Sequence, residues 1–256
     1  MLYRLLKRYP YFKERIRLIE IGRSYENNAY HVQGKDLSLV EVAKTPLRWE
    51  VINYLLKSLN RPTKYLEIGV RNPDDNFYKI ESNFKVSVDP GVEFEANPVD
   101  FKMTSDAFFE KLNAGEILDT ELKFDVIFID GLHLAEQVDR DILNSLACIQ
   151  DDGFVVLHDC NPPTEFHASE SYEYRLSPSK GNWNGTTWKA FYKYRCFPNL
   201  NSCCIDADWG IGIISKTKEI GKNTSMNNPY YEYKVLESNR ISHLNLISFD
   251  ELKTKV

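Results

Sequence analysis

The chain has 256 residues, of which 43% are hydrophobic, and a formal net charge of −5. Its 15 Tyr, 14 Phe and 4 Trp exclude an intrinsically disordered chain, and its length suits one large α/β domain or two small ones. Because the net charge is negative, bulk electrostatics favour neither nucleic acid nor an anionic membrane, and we predict no nucleic-acid partner.

The N-terminal stretch, residues 2–21, is basic and partly apolar, but it has no uncharged core long enough for a signal peptide or a membrane span. It predicts an amphipathic helix that docks on the domain or on a second subunit, with contact to a membrane surface as the alternative. We assign residues 1–60 to an N-terminal helical region that packs on the core, and we expect a homodimer contact there. The five cysteines are odd in number and lack CxxC spacing, which favours a reducing cytoplasmic location over a disulfide framework or a structural zinc site.

Alternating helical and apolar segments follow. Residues 44–60 predict a helix with Thr45 as N-cap and Pro46 at its first position. Four short runs, nearly continuous in apolar residues, predict strands buried on both faces, at 64–70, 85–90, 124–131 and 153–159. Helical stretches between these runs, clearest at 134–149, imply a parallel sheet with right-handed crossovers. Near the C-terminus, residues 202–215 predict an antiparallel hairpin at a sheet edge, and residues 233–248 an amphipathic segment that packs back on the domain.

Polar side chains and one glycine mark the ends of the four predicted strands: Glu67 and Gly69, Asp89, Asp130 and His133, and His158 and Asp159. Ligands of open parallel sheets bind beyond the carboxyl ends of the strands, so these residues predict a binding crevice. GxGxxG and the P-loop pattern are absent, and Asp74 and Asp75 would repel phosphate. An acid after the second strand is placed to bind a ribose diol. We therefore predict a nucleoside that carries a cation and no phosphate, such as S-adenosylmethionine.

The stretches YLEIGV, VSVDPG, VDFKMTSDAFF, FDVIFIDGLHLAEQVDRDI, GFVVLHDCNPP and NGTTWKAF resemble class I S-adenosylmethionine-dependent methyltransferases, in particular the type called methyltransferase domain 24. The resemblance spans roughly residues 62–215. It implies a Rossmann-like, doubly wound α/β fold whose mostly parallel, seven-stranded sheet carries an antiparallel edge hairpin. We place this domain at residues 61–256, with a lid or acceptor loop around 161–187.

The resemblance also implies a set of cofactor contacts: Glu67, Gly69, Val70, Asp89, Ser105, Asp106 and Asp130. Glu67 and Gly69 would meet the methionine end, directly or through water, and Asp89 would bind the ribose hydroxyls. Ser105 and Asp106 would lie near the adenine, and a helix cap is the alternative interpretation of both. Asp130 would sit with His133 beside the sulfonium and the acceptor.

Methyl transfer to an alcohol needs a group that removes the proton or a metal that stabilises the oxygen. His133, His158 and Asp159 are the catalytic candidates. We favour His133 as the base because an imidazole titrates near neutrality and His133 lies in the loop after a strand. The alternative for His158 is that it orients Asp159. The expected acceptor is a hydroxyl of a small molecule or a glycan.

A metal ion is a separate question. Related O-methyltransferases hold a divalent ion, which implies Asp130 and Asp159 as ligands here. Cys160 stands where those enzymes carry a second Asp or an Asn, and thiolate is a poor ligand for magnesium. The sequence leaves magnesium open, with Asn161 as a replacement ligand if the loop shifts. As a nucleophile, Cys160 has only His158 as a partner, and free cysteines are more often buried and inert.

The segment 161–187 is long and rich in turn formers and aromatic residues, which is typical of a loop that covers a ligand. The candidates to stack on a sugar or another ring are His167, Tyr172, Tyr174, Trp183 and Trp188. For Trp188 and Phe191 we favour the core of a helix that starts near Thr186.

Two other classes of function remain. A Rossmann-like oxidoreductase that uses NAD or a nucleotide sugar is disfavoured by the missing GxGxxG. A non-catalytic cofactor-binding module is disfavoured by the retained Asp89, Asp130, His133 and Asp159. The sequence identifies neither the acceptor nor the choice between O- and N-methylation.

Overall fold

The computed structural model describes residues 9–94, 96–172 and 176–256. Among the described residues, three helices, α1 (Pro10–Glu26), α2 (Ala29–Val42) and α3 (Arg48–Ser58), precede the first strand, β1 (Lys64–Ile68). The later elements are β2 (Phe84–Val88), α4 (Ser105–Asn113), β3 (Phe124–Ile129), α5 (Ala135–Cys148), β4 (Ile149–Leu157), α6 (Thr187–Arg195), β5 (Asn201–Ile205), β6 (Ile211–Ser215), α7 (Tyr233–Leu244), β7 (Leu246–Ile247) and α8 (Phe249–Lys253). Within the described part of the chain, no helix has the length and apolar character needed to cross a membrane.

The strands form one seven-stranded sheet in the order β2-β1-β3-β4-β6-β5-β7. The first four strands pair in parallel, whereas β6 runs antiparallel to both β4 and β5. This confirms the predicted fold class and the hairpin at 202–215. The short β7 pairs in parallel with β5 and lies within the segment that we expected only to pack back on the domain.

The start of α3 differs from the prediction. The helix begins at Arg48, and its N-cap is Leu47, not Thr45. The Glu50 carboxylate accepts a hydrogen bond from the Leu47 backbone N–H at 2.8 Å. Asp208, from the β5–β6 turn, accepts another from the Arg48 N–H at 2.8 Å. This second cap comes from a distant part of the chain, so local sequence gave no sign of it.

The sheet is buried on both faces, as its apolar strands predict. Along β1, Leu66 and Ile68 join the core that α4, α5, α6 and α7 cover, whereas Tyr65 joins the core beneath α3 and α8. Side chains of a strand alternate between the two faces, which explains this division. Trp188 and Phe191 lie in the first of these cores, which confirms our interpretation of both.

The helix α2 supports the segment 161–187. An added Cβ at Gly34 would lie 2.3 Å from the Pro178 carbonyl oxygen, so helix and loop are in close contact. Ser38 Oγ lies 2.9 Å from His167 Nε2 within the same contact. The amphipathic helix expected at residues 2–21 lies partly outside the described residues, and α1 begins at Pro10. The division into residues 1–60 and 61–256 stays a prediction.

Candidate functional site

A cavity of about 570 Å³ lies beyond the carboxyl ends of β1, β2, β3 and β4. Its lining includes Glu67, Gly69, Val70, Asp89, Ser105, Asp130, His133, His158 and Asp159. These are all of the predicted site residues except Asp106. The Asp106 carboxylate is half exposed and lies 3.2 Å from Arg140 Nε. The structure therefore brings the predicted residues together, and their individual roles stay predictions.

The structure explains why a glycine follows β1, which the sequence did not reveal. Gly69 adopts φ of +85°, and an added Cβ would lie 2.3 Å from Gly131 Cα and 2.4 Å from the Asp130 carbonyl oxygen. The loops after β1 and β3 thus cross where only glycine fits. The neighbouring loop fills the space that a side chain at position 69 would need, and the predicted contact of Gly69 with the methionine end stays a prediction.

Glu67 is buried at the end of β1, and it lines the cavity. Its Oε2 accepts hydrogen bonds from the Tyr65 hydroxyl at 2.6 Å and from Asn76 Nδ2 at 2.8 Å. Burial raises the pKa of Glu67 to about 7, although both of these hydrogen bonds act to lower it. This carboxyl group therefore changes charge near neutral pH.

Asp89, after β2, ties two loops together. Its carboxylate accepts hydrogen bonds from the backbone N–H of Arg71 at 2.9 Å and of Gly91 at 2.6 Å. Asn97 Nδ2 donates a third at 2.9 Å. A carboxylate has about four lone-pair sites, so Asp89 keeps capacity for a further donor such as a ribose hydroxyl.

The helix cap that we considered for Ser105 and Asp106 is made by another residue. Thr104 is the N-cap of α4, and its side chain accepts a hydrogen bond from the Ala107 N–H at 3.3 Å. Ser105 lines the cavity, and its Oγ accepts a hydrogen bond from Gln137 Nε2 at 3.1 Å. The cap interpretation was wrong for both residues, because Thr104 is the N-cap and both residues lie within the helix.

Two histidines and two carboxylates meet at the ends of β3 and β4. His158 Nδ1 lies 3.0 Å from Asp159 Oδ2 and 3.2 Å from Asp130 Oδ1. His133 Nε2 lies 3.3 Å from Asp130 Oδ1, and His133 Nδ1 lies 3.3 Å from Asp159 Oδ2. Each imidazole thus faces both carboxylates, which favours positive charge on the rings.

Sequence reasoning missed two partners of this cluster, Arg48 and Asp208. Arg48 Nε lies 3.7 Å from Asp130 Oδ2, and Asp208 Oδ1 lies 3.2 Å from His158 Nε2. Arg48 Nη1 also lies 3.1 Å from the same His158 nitrogen, and its positive charge opposes a charge on that ring. The only sequence signal was the break near 208–210, which we interpreted as a hairpin turn.

The carboxylates determine the charge of the histidines. Burial alone lowers the pKa of His133, but Asp159 and Asp130 outweigh it and raise the pKa to about 9. The same balance raises the pKa of His158 well above its usual value. Burial raises the pKa of Asp208, but His158 and Arg48 bring it down to about 2. At neutral pH the His133 imidazole is therefore charged, and the same carboxylates favour positive charge on His158.

The end of the segment 161–187 lies directly over His133. The Trp183 ring stacks on the imidazole with centroids 5.2 Å apart and an angle of 20°, and its carbonyl accepts a hydrogen bond from Nδ1 at 3.1 Å. Tyr172 packs edge-on against Trp183, and both residues line the cavity. Asn184 Nδ2 donates to Asp159 Oδ1 at 2.7 Å. Two of the predicted stacking residues therefore reach the cavity.

His167 does not reach the cavity. It is fully buried between Ser38 and Thr164, and burial lowers its pKa to about 4. Its role as a stacking residue was wrong because its ring nitrogens hold the loop against α2. Tyr174 lies outside the described residues.

The donor atoms near Asp130 and Asp159 show whether these residues fit the predicted magnesium site. Asp130, His133 and Asp159 offer ligand atoms within 4.8 Å of one another. Magnesium prefers oxygen ligands, and here imidazole nitrogens already face both carboxylates. Asn161 cannot serve as the replacement, because its side chain contacts Asp206 and Arg240. Cys160 is fully buried, and burial raises its thiol pKa well above the usual value. These donors do not fit a magnesium ion.

Comparison with known proteins identifies a family for part of the chain. Residues 75–160 match the family model described as a methyltransferase domain, which is the type named methyltransferase domain 24. This confirms the resemblance that the sequence motifs indicated. No curated protein matches the chain significantly.

Several solved structures are similar to this chain at low sequence identity and with TM-scores below 0.5. An O-methyltransferase from Bacillus cereus in complex with SAH is 13% identical, covers 74% of this chain and 92% of its own, and has a TM-score of 0.41. The SAH-bound methyltransferase PaMTH1 from Podospora anserina is 14% identical over 78% and 95% of the two chains, with a TM-score of 0.42. The O-methyltransferase TomG from Streptomyces achromogenes, in complex with SAM, is 11% identical over 78% and 96%, with a TM-score of 0.41. At these values we draw no conclusion about a substrate.

Proposed function

We propose that this chain, whose residues 75–160 match a methyltransferase domain, is an S-adenosylmethionine-dependent methyltransferase that acts on a hydroxyl of a small molecule or a glycan. The observation that carries the proposal is one cavity in which Asp89 lies at one strand end and the Asp130–His133 pair at another. The same cavity is lined by further acids, Glu67, Asp75, Glu93 and Asp159. An acidic lining suits a cationic nucleoside and disfavours the pyrophosphate of NAD.

The residues fit the cofactor by their position along the cavity. Asp89 would accept hydrogen bonds from the ribose hydroxyls, and Glu67 would face the methionyl end. Ser105 would lie near the adenine, and Asp130 near the sulfonium. When bound, S-adenosylmethionine supplies an electrophilic methyl group. The chain's task is then to align the acceptor oxygen with that group and to exclude water.

His133 is the base that we favour. Its ring is only 19% exposed and is held by the Trp183 carbonyl and two carboxylates. Because its pKa is about 9, it must first lose a proton before it can accept one from the acceptor hydroxyl. His158 is engaged at both nitrogens, by Asp130 and Asp159 on one side and Asp208 on the other. We therefore assign His158 to orienting Asp159.

The acceptor would lie beneath the segment 161–187. Trp183 and Tyr172 offer aromatic faces next to His133, which suits a sugar or another ring. This arrangement supports a cyclic acceptor with a free hydroxyl.

Transfer of a labelled methyl group tests this proposal. Wild-type protein is incubated with methyl-labelled S-adenosylmethionine and a panel of glycosides and phenols, with and without EDTA. We expect label in at least one acceptor, no loss with EDTA, and a fall in kcat of about 10²- to 10⁴-fold for His133→Ala. The Asp139→Ala variant is the control, since Asp139 pairs with Lys193 and lies outside the cavity lining. A His133→Ala variant with the wild-type rate on an active acceptor would refute the assigned base.

A further inference from the structure

The two oxygens of the Glu67 carboxylate have different surroundings. Oε2 accepts both hydrogen bonds, from the Tyr65 hydroxyl and from Asn76 Nδ2. Oε1 accepts none from the residues that the structure describes, and Glu67 forms part of the cavity lining. Because Glu67 lines the cavity and Oε1 has no donor among the described residues, this oxygen can accept a hydrogen bond from a ligand. The arrangement thus leaves one acceptor atom for a ligand.

We propose that Tyr65 and Asn76 are positioning residues for the cofactor: they hold Glu67 Oε2, so that Oε1 accepts a hydrogen bond from the α-ammonium group of the methionyl end. This inference rests on the proposed function, because it assumes a ligand that carries an ammonium group at this end of the cavity.

No lysine or arginine in the described part of the chain donates a hydrogen bond to Glu67 Oε1. Lys85 interacts with Glu67 through its charge, but its Nζ donates to the backbone oxygens of Phe77 at 2.9 Å and Ile80 at 3.1 Å. Arg48 acts on Glu67 through its charge and makes no hydrogen bond to it within the described chain. An ionised Glu67 therefore lacks a hydrogen-bonded cation, and a ligand ammonium would supply one.

The two supporting side chains are themselves fixed. Tyr65 is fully buried on β1, two residues before Glu67 and on the same face of the strand. Asn76 is 3% exposed and immediately precedes the helical turn Phe77–Lys79. Asn76 Nδ2 also lies 3.2 Å from the Tyr65 hydroxyl. With the amide rotated by 180°, its oxygen would face the carboxylate, so this contact also sets the orientation of the amide.

Paired ligands test the inference. S-Adenosylhomocysteine and its deaminated analogue differ only in the ammonium group. Their affinities are measured by calorimetry at pH 8 and pH 6 for the wild type, Tyr65→Phe and Asn76→Leu. For the wild type at pH 8 we expect S-adenosylhomocysteine to bind about tenfold more tightly than the analogue, since a charge-assisted hydrogen bond is gained. We expect each variant to reduce this preference several-fold and to leave the affinity for the analogue unchanged.

Asn97→Leu is the matched control. Like Asn76, Asn97 donates through Nδ2 to a carboxylate of the cavity, in this case Asp89. The amides of Asn76 and Asn97 both have a buried Oδ1 without a partner among the described residues. This change should weaken both ligands to the same extent, because Asp89 belongs to the ribose end. The pH provides a second readout. The wild-type preference should fall between pH 8 and pH 6 as Glu67 gains a proton, and this fall should move to higher pH in Asn76→Leu.

The outcomes separate the two claims. A variant that weakens both ligands equally has only loosened the cavity, and that result overturns the positioning role. An unchanged preference in the variants, or equal wild-type affinity for both ligands at pH 8, overturns it as well. If the wild type binds neither ligand, the proposed function itself fails.

Discussion

At the residue scale, the charge of His133 is the property on which the proposed chemistry depends. Asp159 is the strongest cause that raises the pKa of this imidazole to about 9, against the effect of burial. Asp159 itself adopts φ of +60°, a backbone conformation that is unfavourable for residues other than glycine. An unfavourable backbone conformation at this residue indicates that the fold fixes the position of the Asp159 carboxylate at an energetic cost.

We predict that the His133 imidazole titrates near pH 9 in the wild type and closer to 6.5 in Asp159→Asn. The physical reason is the loss of a negative charge 3.3 Å from Nδ1. Nitrogen-15 NMR of the imidazole signals against pH measures both values. Asp139→Asn is the matched control, because Asp139 pairs with Lys193 away from the cluster. An unchanged titration in Asp159→Asn contradicts this account of the site.

The polar strand ends could be predicted from sequence because each follows an apolar run directly. The residues Arg48 and Asp208 could not be predicted, because their contact joins positions 160 residues apart. Arg48 follows a short stretch with no metal or catalytic motif, and Asp208 looked like an ordinary turn residue. The close approach of the two loops that requires glycine at position 69 could not be predicted either, since it joins segments far apart in the chain.

At the element scale, the strands β1 to β4 could be predicted from the sequence because their apolar residues are nearly continuous. The two-residue β7 was not, since so short a strand leaves no periodic pattern. The packing of α2 against the segment 161–187 also has no sequence signature. It depends on Gly34, which allows the helix backbone to approach the Pro178 carbonyl.

Two helical glycines should respond to alanine in opposite ways. At Gly34 a Cβ would lie 2.3 Å from the Pro178 oxygen, so Gly34→Ala should lower the free energy of unfolding by about 1–3 kcal/mol. At Gly22 nothing lies within 4 Å, so Gly22→Ala should raise it by about 0.5–1 kcal/mol. Urea denaturation measures both changes. Gly34→Ala should also speed hydrogen exchange in residues 176–184, and equal behaviour of the two variants would show that α2 does not hold the loop.

At the scale of the whole molecule, the ionised cluster couples stability to pH. The folded-state pKa of His133 lies above its usual 6.5, so its stabilising effect is complete below pH 6.5 and is lost as the pH rises through about 9. The pKa of Asp208 is lowered from 3.8 to about 2, so its effect is present above pH 3.8 and is lost below it. Burial raises the pKa of Glu67 from 4.5 to about 7. The folded state therefore keeps a proton that the unfolded chain loses, and the free energy of unfolding falls as the pH rises from 4.5 to about 7.

We therefore expect the stability difference between the wild type and His133→Gln to shrink by roughly 2–3 kcal/mol between pH 6.5 and pH 10. Chemical denaturation at each pH measures it. His167→Gln is the control, because the pKa of His167 is lowered to about 4 and its charge does not change in this range. A constant difference for His133→Gln would show that this imidazole is neutral in the folded protein.

The predicted homodimer contact of the N-terminal helices stays a prediction.

The most direct measurement is a calorimetric titration of the purified chain with S-adenosylmethionine and, separately, with NAD. We predict binding of S-adenosylmethionine and none of NAD, with weaker binding in Asp89→Asn. The matched variant Asp100→Asn should keep the wild-type affinity, since Asp100 holds the Ser87 backbone N–H and hydroxyl and does not line the cavity. Binding of NAD alone, or of neither ligand, would contradict the assignment of this cavity to a methyltransferase.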